Sequence, residues 1–201
     1  MNKKQKRGAI LLLIGVLLVL CGLGIHLVQQ QQDTLAGQTA AMLYQQLEQK
    51  TLPVTPNPEE APSEQPQKQD PQLPEKKYMG YTLIGSISIP SVGIQLPVLN
   101  DWSEEMLKAA PCRYAGSISG GNMIIMGHNY KSHFTPLHKI AVGAEVEFEN
   151  VVGKVFRYRV AQIEYLHRTE GEKLPSDAYP LTIFTCTPGG LERIVVRCEA
   201  V

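Results

Sequence analysis

The sequence lacks an excess of charge of either sign. It carries 19 basic and 19 acidic side chains in 201 residues, so its formal net charge is zero. A balanced chain has no broad electrostatic attraction for nucleic acid, and nucleic-acid binding therefore has no support in the composition. The length allows one ordinary domain together with accessory segments.

Several catalytic and metal-binding signatures are also missing. The sequence contains no GxxxxGK[ST], CxxC or HExxH motif and no internal repeat. These absences argue against a phosphate-binding loop, a thioredoxin-like redox site and a zinc peptidase. Helical patterns are few in the C-terminal two thirds: SEEMLKAAP at 103–111 begins with Ser103 as a candidate N-cap, and FTPLHKI at 134–140 allows one or two turns.

The N-terminus combines a basic tail with a long apolar run. Residues 1–8 contain four cations, and residues 9–28, AILLLIGVLLVLCGLGIHLV, are almost free of polar atoms. A run of about 20 residues suits a helix that crosses a hydrocarbon core of roughly 30 Å. Cleavable signal peptides usually have a shorter apolar region and a small-x-small cleavage site, so we expect an uncleaved anchor. Its cations then stay in the cytoplasm and the rest of the chain lies outside.

Residues 29–77 connect this anchor to the rest of the chain. Apolar residues recur there at helical intervals, at Ala36, Ala40, Leu43 and Leu47. This spacing predicts a short juxtamembrane helix. The following segment, 52–77, holds seven of the 14 prolines and no aromatic residue, which predicts an extended, disordered spacer that keeps a domain well away from the membrane. The working part of the protein is then 78–201.

Residues 78–201 show mostly period-two apolar alternation, interrupted by Gly, Pro and Asn. The candidate strands are YTLIGSISIP, GIQLPVL, NMIIMG, AEVEFEN, KVFRYRVAQIEYL, LTIFTC and RIVVRCEA. Short strands at this spacing predict an all-β closed barrel of about eight strands with a few short helices.

A single cysteine stands at the end of one predicted strand. In LTIFTC, alternation places Thr182, Phe184 and Cys186 on one face, and the strand stops at the thiol. The short TPGG turn that follows predicts a hairpin in which Arg193 lies opposite Cys186. A fixed cation beside a thiol stabilises the thiolate and a developing oxyanion. Arg197 has the same strand parity and competes for this role.

His128 follows another apolar strand and a glycine in NMIIMGHNYKSHF. A neutral imidazole near a thiol can accept its proton and then donate it to an amine leaving group. Cysteine and histidine together thus supply a nucleophile and an acid–base group. Three other histidines compete for this role: His133, His138 and His167. A zinc site built from the first two and His128 is disfavoured, because i, i+5, i+10 spacing does not share one helical face.

These residues resemble the sortase family of Gram-positive cell-surface transpeptidases. The resemblance is carried by five features: Gly127-His128, Phe134-x-x-Leu137, Gly143, Leu181-Thr-Ile-Phe-Thr-Cys186 and Arg193-Ile-Val-Val. It covers essentially all of residues 80–200, and the anchor and spacer fit the same family. The LTIFTC strand departs conservatively from the family pattern, in which a Leu-x pair is common. The subclass stays open, although the short turn after the cysteine and the lack of a clear N-terminal lid motif favour general anchoring or a specialised substrate over pilus assembly.

The resemblance implies a role for each site residue. Cys186 would attack the Thr carbonyl of a Leu-Pro-x-Thr-Gly-like sorting signal to give a thioacyl enzyme. His128 would protonate the departing amine and later deprotonate the incoming one, while Arg193 would bind substrate and stabilise the oxyanion. Thr185 is either a substrate contact or an ordinary packing residue. The implied partners are secreted proteins with a C-terminal sorting signal and an amine of a peptidoglycan precursor or of another surface protein, and no cofactor is required.

Other features leave alternatives open. A Cys112–Cys198 disulfide is compatible with an oxidising compartment, although Cys198 also suits a core position. Calcium could be held by acidic residues as in some sortases, although a solvated strand face is the simpler interpretation; the candidates are Asp101, Glu104, Glu105, Glu145, Glu147 and Glu149. Two rival functions also stand: a thiol peptidase that hydrolyses the same intermediate, and a membrane-tethered binding module with an inert cysteine.

Overall fold

The computed structural model describes the backbone of residues 3–48 and 70–201, with side chains from residue 12 onward. Residues 49–69, which include most of the proline-rich spacer predicted at 52–77, lie outside the described residues. The described N-terminal part is one α-helix, α1, from Lys3–Glu48. Its apolar side chains between 12 and 28 are exposed, and the helix is long and apolar enough to cross a membrane.

Nine strands and one short α-helix follow. The strands are β1 (Lys76–Tyr78), β2 (Tyr81–Ile89), β3 (Ile94–Leu99), β4 (Cys112–Ala115), β5 (Met123–Met126), β6 (Glu145–Asn150), β7 (Val155–His167), β8 (Leu181–Cys186) and β9 (Glu192–Ala200). Helix α2 spans Glu104–Ala109, and 3-10 turns occupy Pro90–Val92, Thr135–Lys139 and Gly171–Lys173. The Ser103 hydroxyl caps α2 by accepting the Met106 N–H at 3.1 Å, as its sequence predicts.

Eight of the strands close into a barrel. Their order is β2-β3-β4-β5-β8-β9-β7-β6, and β6 pairs back onto β2, while β1 lies at the edge beside β2. Two neighbouring pairs, β3–β4 and β5–β8, are parallel, and the others are antiparallel. The predicted closed barrel of about eight strands is therefore confirmed. Closure gives each of the eight strands a paired neighbour on both sides.

The β8–β9 hairpin is covered on both faces. Ile183 and Val196, which pair across the hairpin, belong to the cluster that fills the barrel interior. Phe184 and Val195 point the other way and pack in a second cluster with Leu174, which comes from the segment between β7 and β8. The segment after β7 therefore lies over the outer face of the hairpin.

The C-terminal half of α1 packs against the barrel. Its apolar stripe is buried at Ala36, Ala40 and Leu43, and Leu43 packs with Leu83 and Leu107. Hydrogen bonds of 2.5 Å join Gln95 Nε2 to the Tyr44 hydroxyl and Lys76 Nζ to the Gln46 carbonyl. The sequence predicted a short juxtamembrane helix, followed by a disordered spacer before the barrel. The structure instead has one continuous helix, α1, that packs on the barrel. It does so because its apolar stripe is complementary to an apolar surface that includes Leu83 and Leu107.

Candidate active site

Cys186 ends β8 at the barrel rim with its side chain exposed. The turn that follows is closed by the Thr187 N–H, which donates to the Glu192 carbonyl at 2.8 Å. Gly189 and Gly190 have φ angles of 89° and 70°, a left-handed conformation that glycine adopts without strain. The turn is therefore tight, and it leaves the thiol at the end of a rigid strand.

Arg193 lies directly opposite Cys186 in the hairpin register, as the sequence predicts. Its guanidinium lies over the Phe184 ring at 5.8 Å. The Nη1 atom is buried and has no hydrogen-bond partner among the residues that the structure describes. An unpaired buried donor is costly, and a substrate carbonyl or an oxyanion beside the thiol would supply the missing acceptor.

His128 reaches the same rim from β5. Strands β5 and β8 run parallel with Met126 opposite Phe184, and the Gly127 N–H donates to the Phe184 carbonyl at 3.2 Å. Because this pairing continues past the end of β5, His128 leaves the strand beside Cys186. The three predicted residues thus occupy neighbouring strand ends in the order β5, β8, β9.

The electrostatic setting of His128 suits a base. Burial lowers the pKa of its imidazole below the ordinary value of 6.5, so the ring is neutral at pH 7 and can accept a proton. Its Nε2 atom is buried with no partner in the described part of the chain. A neutral ring with an unpaired nitrogen, carried by the strand next to that of Cys186, has the chemistry needed to take up a thiol proton.

The loop after His128 is folded back on itself. The Phe134 N–H donates to the His128 carbonyl at 3.2 Å, and a Cβ added at Gly127 would lie only 2.5 Å from the Phe134 ring. Glycine is therefore required there so that the buried phenylalanine can pack against the backbone. This packing sets the direction in which the chain carries His128 away from β5.

Thr185 supports the same backbone. Its side chain is buried, and its hydroxyl donates to the Gly127 carbonyl at 2.8 Å. The hydrogen bond ties β8 to the residue that precedes His128, so Thr185 has a positioning role that strand alternation did not reveal. A direct substrate contact by Thr185 stays a prediction.

Arg197 does not compete with Arg193 for the site. It is buried and ion-paired, with its Nε atom 2.7 Å from Glu164 Oε1. Its remaining donors bind the Leu174 carbonyl at 2.5 Å, the Lys173 carbonyl at 2.6 Å and the Thr182 hydroxyl at 3.2 Å. These contacts hold the segment between β7 and β8 against the hairpin, so Arg197 is a structural residue.

The other histidines lie elsewhere. His133 is buried beside α1, and His138 lies in the 3-10 turn Thr135–Lys139. His167 ends β7, from which β8 is separated by β9, and its Nδ1 atom is 2.8 Å from the Thr169 hydroxyl oxygen. Only His128 is in register with Cys186 among these four.

The remaining cysteines of the barrel are free thiols in the core. Cys112 and Cys198 are fully buried and unpaired, so the disulfide considered from the sequence is absent between these two described residues. Burial raises the pKa of each thiol to about 12, which keeps both protonated and unreactive. Cys186 is the exposed thiol of the barrel.

Acidic residues do not converge on a metal site in the described ranges. No group of three His, Cys, Asp or Glu side chains there is arranged to hold a metal ion. Glu147, one of the calcium candidates, is paired with Arg157 at 2.9 Å. The prediction that the protein needs no cofactor stays a prediction.

Comparison with known proteins identifies the family. The sortase-domain family model matches residues 87–201, a range that contains His128, Cys186 and Arg193. No match was found among curated proteins.

Solved structures of sortases are similar to the barrel. Sortase C from Clostridium perfringens SM101 is 28% identical, with a TM-score of 0.51 over 59% of this chain and 70% of that chain. A structure of Clostridium perfringens sortase C with the C-terminal cell wall sorting motif is 27% identical, with a TM-score of 0.53 and the same coverage of both chains.

A sortase of another class shares the fold. The Clostridium perfringens sortase D5 transpeptidase is 20% identical, with a TM-score of 0.53 over 58% of this chain and 78% of that chain. The similar structures thus span more than one class and do not single one out. Since the family match covers more than half of the chain and includes all three rim residues, the chain belongs to the sortase family of cell-surface transpeptidases.

Proposed function

We propose that the protein is a membrane-anchored cysteine transpeptidase that cleaves a Leu-Pro-x-Thr-Gly-like sorting signal and joins the new carboxyl end to an amine of the cell wall. The observation that carries this proposal is the row of His128, Cys186 and Arg193 at three adjacent strand ends. A similar sortase C structure that includes the C-terminal cell wall sorting motif supports the substrate class.

The first half of the reaction forms a thioester. The Cys186 sulfur attacks the Thr carbonyl carbon while His128 takes the thiol proton. The carbonyl oxygen gains negative charge, which the unpaired Arg193 donor stabilises by a charge-assisted hydrogen bond. The Thr–Gly C–N bond then breaks, and His128 returns the proton to the departing Gly nitrogen.

The second half consumes the thioester. An acceptor amine attacks the same carbonyl carbon and gives its proton to His128, the C–S bond breaks, and His128 returns the proton to the released Cys186 sulfur. The thioester conserves the acylating power of the original peptide bond, so the exchange needs no nucleotide outside the cell. Transfer rather than hydrolysis requires that water be poorly placed in the cleft.

The membrane anchor places this chemistry at the cell surface. The exposed apolar part of α1 is the candidate span, and the cations of residues 1–8 favour a cytoplasmic N-terminus by the positive-inside rule. The barrel then lies outside, where secreted proteins with sorting signals and amines of peptidoglycan precursors or surface proteins are available as partners.

The experiment uses the full chain in detergent micelles. It is incubated with a panel of Leu-Pro-x-Thr-Gly peptides, with and without a small amine, and the products are separated by mass. A transpeptidase redirects its product to the amine-capped peptide, whereas a thiol peptidase gives the free acid in both mixtures. Failure to cleave any peptide by the folded protein would favour the binding-module function instead.

A further inference from the structure

Helix α1 has two halves with different surroundings. Between residues 12 and 28 its apolar side chains are exposed, and from Ala36 onward its apolar stripe of Ala36, Ala40 and Leu43 is buried against the barrel. The stripe begins with small residues, which let the helix backbone lie close to its neighbour. A Cβ added at Gly37 would lie 3.0 Å from the Ser132 Cβ, so the helix touches the loop between β5 and the Thr135–Lys139 turn.

A polar contact fixes this approach. The Asp33 carboxylate accepts hydrogen bonds from the Ser132 backbone N–H at 2.9 Å and from the Ser132 hydroxyl at 2.6 Å. The same hydroxyl lies 3.0 Å from the Asp33 carbonyl. Charge-assisted hydrogen bonds of this kind are stronger than neutral ones. Ser132 is four residues after His128, so the contact holds the loop that carries the imidazole.

Two tilted ring contacts lead from the helix side of the loop to the site. The Tyr130 ring lies 5.4 Å from the His133 ring and 4.8 Å from the His128 ring, centroid to centroid. His133 is 1% exposed and lies beside the Ala36 backbone. Packed rings have few alternative positions. The docked helix and the catalytic imidazole are therefore two ring contacts apart.

We propose that the docked half of α1 is a positioning element of the active site, which acts through Asp33, Ser132 and Tyr130 to fix the loop that presents His128 to Cys186. The proposal rests on the proposed function in one respect, the use of His128 as the acid–base group. It makes the membrane anchor and the catalytic loop parts of one packed unit. A displacement of about 1 Å in a reacting group can cost roughly 100-fold in rate.

The test compares full-length variants in detergent micelles. Asp33→Ala removes the carboxylate, Asp33→Asn keeps an oxygen that accepts from Ser132, and Met42→Ala changes an exposed residue of the same docked half. Each protein is labelled at histidine for NMR, and His128 is assigned with His128→Gln. The measured quantities are the His128 ring shifts, its titration midpoint and, with a cleaved peptide, kcat and KM.

We expect Asp33→Ala to shift and broaden the His128 resonances and to lower kcat roughly 10-fold to 100-fold with KM unchanged. Asp33→Asn should restore both quantities to near the wild-type values, and Met42→Ala should leave them unchanged. Wild-type His128 resonances and kcat in Asp33→Ala would overturn the proposal.

A second variant guards against misfolding. If Asp33→Ala melts before measurement, Tyr130→Leu removes the ring between His133 and His128 and leaves the sequence of α1 unchanged. It should broaden the His128 resonances and give the same loss of kcat with KM unchanged. An unperturbed His128 in folded Tyr130→Leu would overturn the proposal. The NMR measurement needs no substrate, so it distinguishes failure of this inference from failure of the transpeptidase function.

Discussion

The β8–β9 hairpin carries two arginines on one face, Arg193 and Arg197, and they differ in their hydrogen-bond partners. At the rim, Arg193 has a buried Nη1 atom with no partner in the described residues. Four residues further along β9, Arg197 gives its donors to Glu164 and to two backbone carbonyls. A guanidinium whose donors are engaged stabilises the fold, whereas a buried unpaired donor is useful only when a ligand completes it. The rim end of the hairpin, at Cys186 and Arg193, therefore holds groups available for catalysis. The part around Arg197 stabilises the fold.

The cysteines follow the same division. Cys186 is exposed beside Arg193, and Cys198 is buried in the barrel opposite Leu181. Cys198 fills space as a small apolar side chain and stays protonated because burial raises its pKa to about 12. Position along the hairpin, rather than residue type, therefore decides which thiol can react.

Replacing Cys186 or Cys198 with alanine, one at a time, should give the largest difference in activity between the two parts of the hairpin. We expect Cys186→Ala to lower kcat/KM by more than about 10⁴-fold with the melting temperature unchanged, because the nucleophile is lost from an exposed site. Cys198→Ala should keep its activity per folded molecule and lose about 1–2 kcal/mol of stability through a core cavity. Peptide cleavage and denaturant unfolding measure the two effects. Peptide cleavage that survives in Cys186→Ala would show that Cys186 is not the nucleophile.

Replacing each arginine with glutamine tests the hairpin directly. Arg193→Gln should lower kcat/KM by about 10²–10³-fold, as expected for loss of an oxyanion donor, with stability nearly unchanged. Arg197→Gln should cost roughly 2–4 kcal/mol of unfolding free energy, since it leaves Glu164 and the Leu174 carbonyl without their donor. The reverse pattern, with Arg197→Gln inactive and stable, would show that the roles of the two ends are exchanged.

The stability of the fold should depend on pH through the buried His133. Burial lowers the pKa of His133 to about 4, so the unfolded chain takes up the proton first as the pH falls. The stability contributed by neutral His133 is complete above pH 6.5 and is lost as the pH falls towards 4, by up to roughly 3 kcal/mol. Denaturant unfolding at pH 7, 5.5 and 4.5 measures this slope. His133→Leu should flatten it, and an unchanged slope in His133→Leu would show that this buried imidazole does not set the pH dependence.

Thr185 should give the smallest effect. Thr185→Val removes the hydrogen bond to Gly127 from a buried position, which should cost about 1 kcal/mol of stability and a few-fold in kcat as Gly127 and His128 shift. Thr185→Ser keeps the hydroxyl and should behave like the wild type. If Thr185 contacts substrate instead, KM for the peptide rises in Thr185→Val while kcat stays unchanged.

Local patterns in the sequence account for much of the fold and the site. Period-two alternation identified seven of the nine described strands, all except the short β1 and β4. The short TPGG turn was enough to place Arg193 opposite Cys186. Such features depend on neighbouring residues, and the physical rules that connect them act within one turn or one strand. His128 was identified by its position after a strand and by the family resemblance.

Contacts between segments that are distant along the chain could not be predicted from the sequence. The stripe at Ala36, Ala40 and Leu43 was visible as a helix face, but its partner surface is assembled from several strands and α2. Apolar periodicity shows that a face will be buried without showing what covers it. The parallel pairing of β5 with β8, which brings His128 to Cys186, likewise joins residues about 60 positions apart. The docking of α1 and the ring contacts of Tyr130 were therefore identified only in the structure.

Peptide mapping of the trapped enzyme shows whether the Cys186 thiol carries the acyl group. The full chain is mixed with a cleaved sorting-signal peptide without added amine, quenched in acid and digested, and the mass of each cysteine-containing fragment is measured. We expect a thioester adduct on Cys186, its absence in Cys186→Ala, and none on Cys112 or Cys198. An adduct on another residue, or peptide turnover in Cys186→Ala, would contradict the account.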